Sequence, residues 1–262
     1  MRIRVLTENT YIRPDLKSEH GLSIYIEGEK KILFDAGQGT TFAENAKLMD
    51  VNLKEADCMV LSHGHYDHGG GISCFMEENR EAPVYVSKYA FGEHYNAEDK
   101  YIGLDKSLEG SSRIITVEDE YKLADGYTLY SCNDRERRFP SKEFGLTVKK
   151  DGKTAPDQFL HEQYLLVEEN GKKILFSGCS HKGILNIVDW FKPDVLVGGF
   201  HLMWLGTEGE EKEQLKQMAA DLLKYDTVYY TCHCTGAEQY LVMKEIMGSS
   251  LKYIATGAEL LL

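Results

Sequence analysis

One pentapeptide constrains this chain more than any other feature: Lys-Lys-Ile-Leu-Phe stands at 30–34 and again at 172–176. Each copy closes an apolar stretch interrupted by a glycine turn. The two stretches read Ile24-Tyr-Ile-Glu-Gly-Glu-Lys-Lys-Ile-Leu-Phe-Asp35 and Leu165-Leu-Val-Glu-Glu-Asn-Gly-Lys-Lys-Ile-Leu-Phe-Ser177, a pattern expected of buried hairpins. Further along each copy an apolar strand runs into a histidine, in Ala56-Asp-Cys-Met-Val-Leu-Ser-His63 and in Pro193-Asp-Val-Leu-Val-Gly-Gly-Phe-His201. Any two buried hairpins look somewhat alike, but two matches in the same order predict two similar halves, each supplying a sheet. A site is then expected at the common edge where the sheets meet.

The rest of the chain suits a single α/β domain over 1–262. Runs of Val, Ile, Leu and Tyr predict strands at 2–7, 22–27, 31–35, 58–62, 84–87, 127–131, 144–149, 163–168, 173–177, 194–199, 227–232 and 252–255. Helices are predicted at 41–49, about 70–78, 182–191, 208–224 and 236–247. With five prolines and no low-complexity tract, nothing marks a domain boundary. The balance of 30 Lys+Arg against 42 Asp+Glu gives a net charge of −12, the wrong sign for default binding to nucleic acid. No window approaches the roughly 18 consecutive apolar residues of a membrane span, and no signal-peptide run opens the chain. The expectation is a soluble, cytoplasmic protein with a small-molecule substrate and neither nucleic acid nor membrane as partner. Six cysteines are too few for a disulfide scaffold.

Composition leaves nine histidines unexplained, several of them in glycine-rich turns. The densest group is Leu61-Ser-His63-Gly-His65-Tyr-Asp67-His68-Gly-Gly-Gly71, which follows directly on the strand at 58–62. In extended backbone His63 and His65 point to one side. Imidazole nitrogen and carboxylate oxygen suit Zn²⁺, Fe or Mn²⁺, and His63, His65, Asp67 and His68 together exceed what one ion uses.

His-x-His-x-Asp-His at the end of an apolar strand, preceded by Phe34-Asp35-Ala-Gly37, resembles the metallo-β-lactamase superfamily. The resemblance implies a four-layer αββα sandwich of two similar halves with a one- or two-metal site at the sheet edge. Leu6-Thr-Glu-Asn9, Glu19-His-Gly-Leu-Ser23, Gly178-Cys-Ser-His181, Gly198-Gly-Phe-His201 and His233-Cys-Thr-Gly236 look like one branch of it. That branch is named after the archaeal enzyme making dihydropterin-(ribofuranosyl)aminobenzene phosphate and includes many predicted metal-dependent hydrolases. By this resemblance His63 and His65 bind one metal, Asp67 and His68 a second, and His233 completes the second site. Asp35 is then the buried aspartate that braces the ligand loop. Cys179 departs from the pattern, standing where a bridging aspartate is usual; it either coordinates as a thiolate or is a small buried residue ending a strand. The third histidine of the first site is His181 by the branch motif or His161 by superfamily spacing, and His181 is favoured. His201 mirrors His63 and is expected at the site as a substrate contact or proton carrier, against the alternative of a core histidine.

Asn9, His20 and His161 are expected as substrate contacts. The aromatic segment 85–101 is expected either to roof a pocket or to form an amphipathic helix. Arg135, Arg137, Arg138, Lys142, Lys149 and Lys150 concentrate charge that suits a phosphate or carboxylate, or else form a solvated face. Cys232 and Cys234 are expected to be structural. Together these features predict a hydrolase with two divalent ions, Zn²⁺ foremost with Mn²⁺, Fe or Mg²⁺ as alternatives, acting on a small, anionic or phosphorylated substrate. A metal-bound water attacks and Asp67 orients it or accepts its proton. The alternative is a synthase like the archaeal namesake. A di-iron redox protein is disfavoured, because such members carry Glu where this chain has His65 and rely on a flavin domain.

Overall fold

Each copy of Lys-Lys-Ile-Leu-Phe is the return strand of an antiparallel hairpin, and the two copies face each other across the middle of the protein. The computed structural model describes residues 1–142 and 144–262. Strands and helices are numbered along the chain. The first sheet contains β1 (Arg2–Thr7), β2 (Ser23–Glu27), β3 (Lys31–Phe34), β4 (Cys58–Val60), β5 (Val84–Ser87), β7 (Ile114–Val117) and β17 (Glu259–Leu261). The second contains β8 (Glu120–Ala124), β9 (Tyr127–Tyr130), β12 (Tyr164–Glu169), β13 (Lys172–Ser177), β14 (Val195–Gly198), β15 (Val228–Thr231) and β16 (Leu251–Tyr253). A small third sheet joins β6 (Glu93–Tyr95), β10 (Thr147–Lys150) and β11 (Lys153–Pro156).

The two large sheets have the same plan. Their orders are β17-β1-β2-β3-β4-β5-β7 and β8-β9-β12-β13-β14-β15-β16. Read in that direction, each runs through successive antiparallel pairings up to β3 or β13 and through parallel pairings from there on. Alternation along the repeated strands assigns their residues to layers. Ile32, Phe34, Ile174 and Phe176 enter the core between the sheets, where the rings of Phe34 and Phe176 lie 5.8 Å apart. Leu33 and Leu175 point the other way, into two outer cores. Helices α1 (Thr41–Leu48) and α3 (Ile72–Glu78) cover the first sheet; α4 (Ile184–Phe191), α5 (Gly209–Leu222) and α6 (Ala237–Met247) cover the second. The result is the αββα sandwich.

The structure differs from the sequence expectations where apolar patterning is weak. The helix expected near 70–78 is present as α3, but a short helix that was not expected, α2 (Tyr66–Gly69), precedes it; Gly70 and Gly71, between the two, lie against the turn after β3. A Cβ on Gly71 would come within 2.1 Å of the Ala36 carbonyl oxygen. The aromatic segment 85–101 is no helix: β5 ends in a turn and β6 follows, with buried His94 between more exposed neighbours. The strand expected at 144–149 occupies Thr147–Lys150. Strands β6, β7, β8, β11 and β17 are not among the expected ones; β8 and β11 are largely exposed and lack a clear apolar alternation. Among the described residues no helix is long and apolar enough to cross a membrane.

Candidate metal centre

The carboxyl ends of the parallel strands of both sheets deliver the polar residues to one edge. Asp35 follows β3, His63 follows β4, Cys179 follows β13, His201 follows β14 and His233 follows β15. Asp35, Ser180, His201 and His233 all have left-handed backbone, at φ of 60°, 57°, 54° and 50°. Such conformations cost non-glycine residues about 1–3 kcal/mol each, a strain that recurs four times along this edge.

Asp35 organises the first half. Its Oδ1 accepts the Ser62 backbone N–H at 2.7 Å, and its Oδ2 lies 2.7 Å from both Ser62 Oγ and His68 Nδ1. Because the Ser62 hydroxyl donates to Asp35, Ser62 Oγ accepts from His63 Nδ1 at 2.9 Å. One buried carboxylate therefore fixes the Nδ1 side of both His63 and His68 and turns each Nε2 away from it. Two further buried carboxylates, not singled out in the sequence, anchor the histidines of the other half. Glu162 accepts the His181 backbone N–H at 2.6 Å, and Glu8 accepts that of His233 at 3.0 Å. Glu8 lay in sight inside the Leu6–Asn9 motif, whereas Glu162 carried no local signal.

The free nitrogens converge. His63 Nε2 is 3.3 Å from His181 Nε2, and His68 Nε2 is 3.1 Å from His233 Nε2 and from Cys179 Sγ. His233 Nδ1 is held by Asn9 Oδ1 at 2.8 Å, so its Nε2 is a lone pair. Two lone pairs at this separation repel unless a proton or a metal ion lies between them. Cys179 groups with His63 and His181 on one side and with His68 and His233 on the other. Asp67 Oδ2 sits 3.4 Å from both His233 Nε2 and His20 Nε2. The His65 Nε2 and His181 Nδ1 atoms are buried without a partner. His63, His181, His68, His233 and Cys179 fit divalent cations in kind and in position, whereas His65 groups with His94, Asp157 and His161.

Electrostatics agree. Burial, with crowding by other imidazoles, pushes His63, His65 and His181 well below their ordinary pKa, so they present neutral nitrogens. Burial works against charge on Asp67 as well, but His68 and His233 outweigh it and hold the carboxyl well below the usual range. Burial also opposes charge on His68, yet Asp35 and Asp67 push it up to about 9. The two carboxylates thus favour positive charge at the His68 ring.

A cavity of about 380 Å³ opens over this centre, lined among others by His20, His65, Asp67, Cys179, His201 and His233. Asn9 and His161, expected as substrate contacts, do not line it. Asn9 holds His233 instead. His161 lies behind the ligand loop, its Nδ1 accepting the Gly64 N–H at 2.9 Å and its Nε2 lying 3.3 Å from Asp157. Asp157 also binds His94 Nδ1 at 2.8 Å, which gives a role to a histidine the sequence left without one. Cys234, expected to be structural, reaches the centre because β15 has ended before it. Cys234, Cys179 and His201 group together, and the Cys234 sulfur accepts the His201 backbone N–H at 3.3 Å. The basic run is mostly engaged locally: Arg135 on the Trp190 carbonyl, Arg137 on the Gln158 carbonyl, Arg138 with Glu136 and Lys149 with Asp99.

A family model described as the metallo-beta-lactamase superfamily matches residues 19–232. The chain belongs to the metallo-β-lactamase superfamily. Its relatives are consistent with an enzyme of this fold. An uncharacterised protein of Methanocaldococcus jannaschii is 34% identical over 89% of this chain and 90% of its own length. The 7,8-dihydropterin-6-methyl-4-(beta-D-ribofuranosyl)-aminobenzene-5'-phosphate synthase of the same organism is 32% identical over 84% of this chain and 82% of its own. A solved structure described as a metal-dependent hydrolase of the beta-lactamase superfamily superposes with a TM-score of 0.85 at 25% identity, covering 100% of this chain and 99% of the other.

Proposed function

We propose that this superfamily member is a hydrolase holding two divalent ions, zinc foremost, one among His63, His65 and His181 and the other among Asp67, His68 and His233. Cys179, as a thiolate, lies between the two sets. The observation that carries the reading is the pair of facing contacts, His63 Nε2 to His181 Nε2 and His68 Nε2 to His233 Nε2, made by rings most of whose outer nitrogens are already engaged. Ions bound there supply Lewis acidity and a water acidic enough to attack a carbonyl or phosphoryl group near neutral pH. Asp67, held between His20 and His233, orients the attacking water. His201, with both ring nitrogens buried and unpaired at the cavity wall, hands a proton to the leaving group.

A second reading, transfer rather than hydrolysis, is favoured by the synthase among the relatives. The test is metal analysis of protein purified without added metal, followed by a screen of phosphodiesters, phosphomonoesters, lactones and thioesters. The expected result is about two equivalents of metal, with hydrolysis of one class lost in His63→Ala along with metal. Full activity of a metal-free His63→Ala preparation overturns the reading. Joining of a pterin to an aminobenzene ribosyl phosphate, with no hydrolysis of any class, replaces it with the second.

A further inference from the structure

Beside the centre lies a second cavity, of about 350 Å³, between residues 139–142 and Phe144, the start of α4 and one face of α5. Its walls include Phe139, Phe144, Ile184, Phe200, Leu205 and Met218. A concave, mostly apolar recess of this size beside polar, reactive groups has the form of a ligand site. His181 and His201 line both cavities and form the wall they share. The His201 ring lies 4.2 Å from that of His181 and meets Phe144 edge-on at 5.3 Å. Both His201 nitrogens are buried without a partner, at the junction of an apolar chamber and a polar one. At the rim, Lys142 donates to Gln214 at 3.1 Å, so that cation stays at the mouth.

We propose that this second cavity seats an apolar, flat arm of the substrate while the reacting group lies at the metal centre. The polar linkage between the two parts passes His201 and satisfies its free nitrogens. At about 30 Å³ per water-sized group, the space holds roughly a dozen non-hydrogen atoms, the size of a two-ring system. Phenylalanine faces and edges on several sides favour a ring over a flexible chain, since aromatic pairs gain from offset and edge-on contact. The substrate class is therefore an anionic or ester group joined to an aromatic body. The assignment rests on the metal-centre reading for the position of the reacting group.

The experiment compares methylphosphonate with (1-naphthylmethyl)phosphonate by isothermal titration into zinc-loaded protein, with zinc content measured in parallel. Neither probe is hydrolysed. The naphthyl compound is expected to bind at least about thirtyfold more tightly. Met218→Trp and Leu185→Trp fill the cavity from α5 and from α4, and both positions are only partly buried in the native protein. Each is expected to cut the preference to about threefold or less while methylphosphonate affinity is unchanged. Equal affinities for the two probes in the native protein, or a preference that survives both substitutions, overturns the assignment. A native protein that takes up no zinc overturns the proposed function instead, whatever the two probes do.

Discussion

Asp35 shows how much of the centre hangs on single atoms. Its Oδ2 accepts from both Ser62 Oγ and His68 Nδ1, and through Ser62 it reaches His63 as well. Asp35→Asn places an amide there whose N–H groups cannot accept those protons. The His68 proton then moves to Nε2, the nitrogen facing His233, and blocks it. Metal affinity, measured by chelator competition, is expected to fall about 10–100-fold while circular dichroism stays native. Unchanged affinity would show that tautomer control is not what Asp35 supplies. Gly178 belongs to the same arrangement: a Cβ there would lie 2.1 Å from Ser62 Oγ, so the strand leading to Cys179 packs against this network only because it carries glycine.

Between elements, the repeated hairpins have equivalent mechanical roles. Phe34 and Phe176 are fully buried and contact each other in the core between the sheets, each from the return strand of its own half. Alanine at either position is expected to cost about 3–5 kcal/mol in denaturant unfolding. The double substitution should show a coupling of about 0.5–1.5 kcal/mol, the usual gain of an aromatic pair beyond its buried area. Costs differing by more than about 2 kcal/mol between the two positions would mean that the halves, though alike in topology, are not alike in packing. The strand ends matter more than the strands for function, since β3, β4, β13, β14 and β15 each release a polar residue at the same edge.

For the molecule as a whole, gathering so many imidazoles in one buried place links stability to pH. His63, His65 and His181 are held well below their ordinary pKa by burial, and His161 is brought down to about 4. The unfolded chain binds protons at these positions below about pH 6.5, before the folded one does, so their contribution is present above that pH and is lost as pH falls below it, for His161 down to about 4. Each contributes up to about 1.4 kcal/mol per pH unit across that window. His68, raised to about 9, runs the other way, adding stability below about pH 6.5 that fades as pH rises toward 9. The metal-free protein should therefore melt at clearly lower temperature at pH 5 than at pH 7, and a flat profile would contradict the burial of these groups as neutral rings. Much of the fold was legible beforehand: alternation in 24–35 and 165–177 is local, and a duplicated hairpin read from it stands in the structure with its register intact. The grouping of His63, His65, Asp67 and His68 was legible for the same reason, being contiguous in the chain. What only the tertiary structure decided is which distant residues meet them. Cys179 between the two sets, Cys234 beside it, Glu8 and Glu162 behind the histidines, and His161 turned away toward Asp157 all depend on where strands end and how two sheets stack. Patterning along a chain records which face of an element is buried; it carries no record of which other element covers that face.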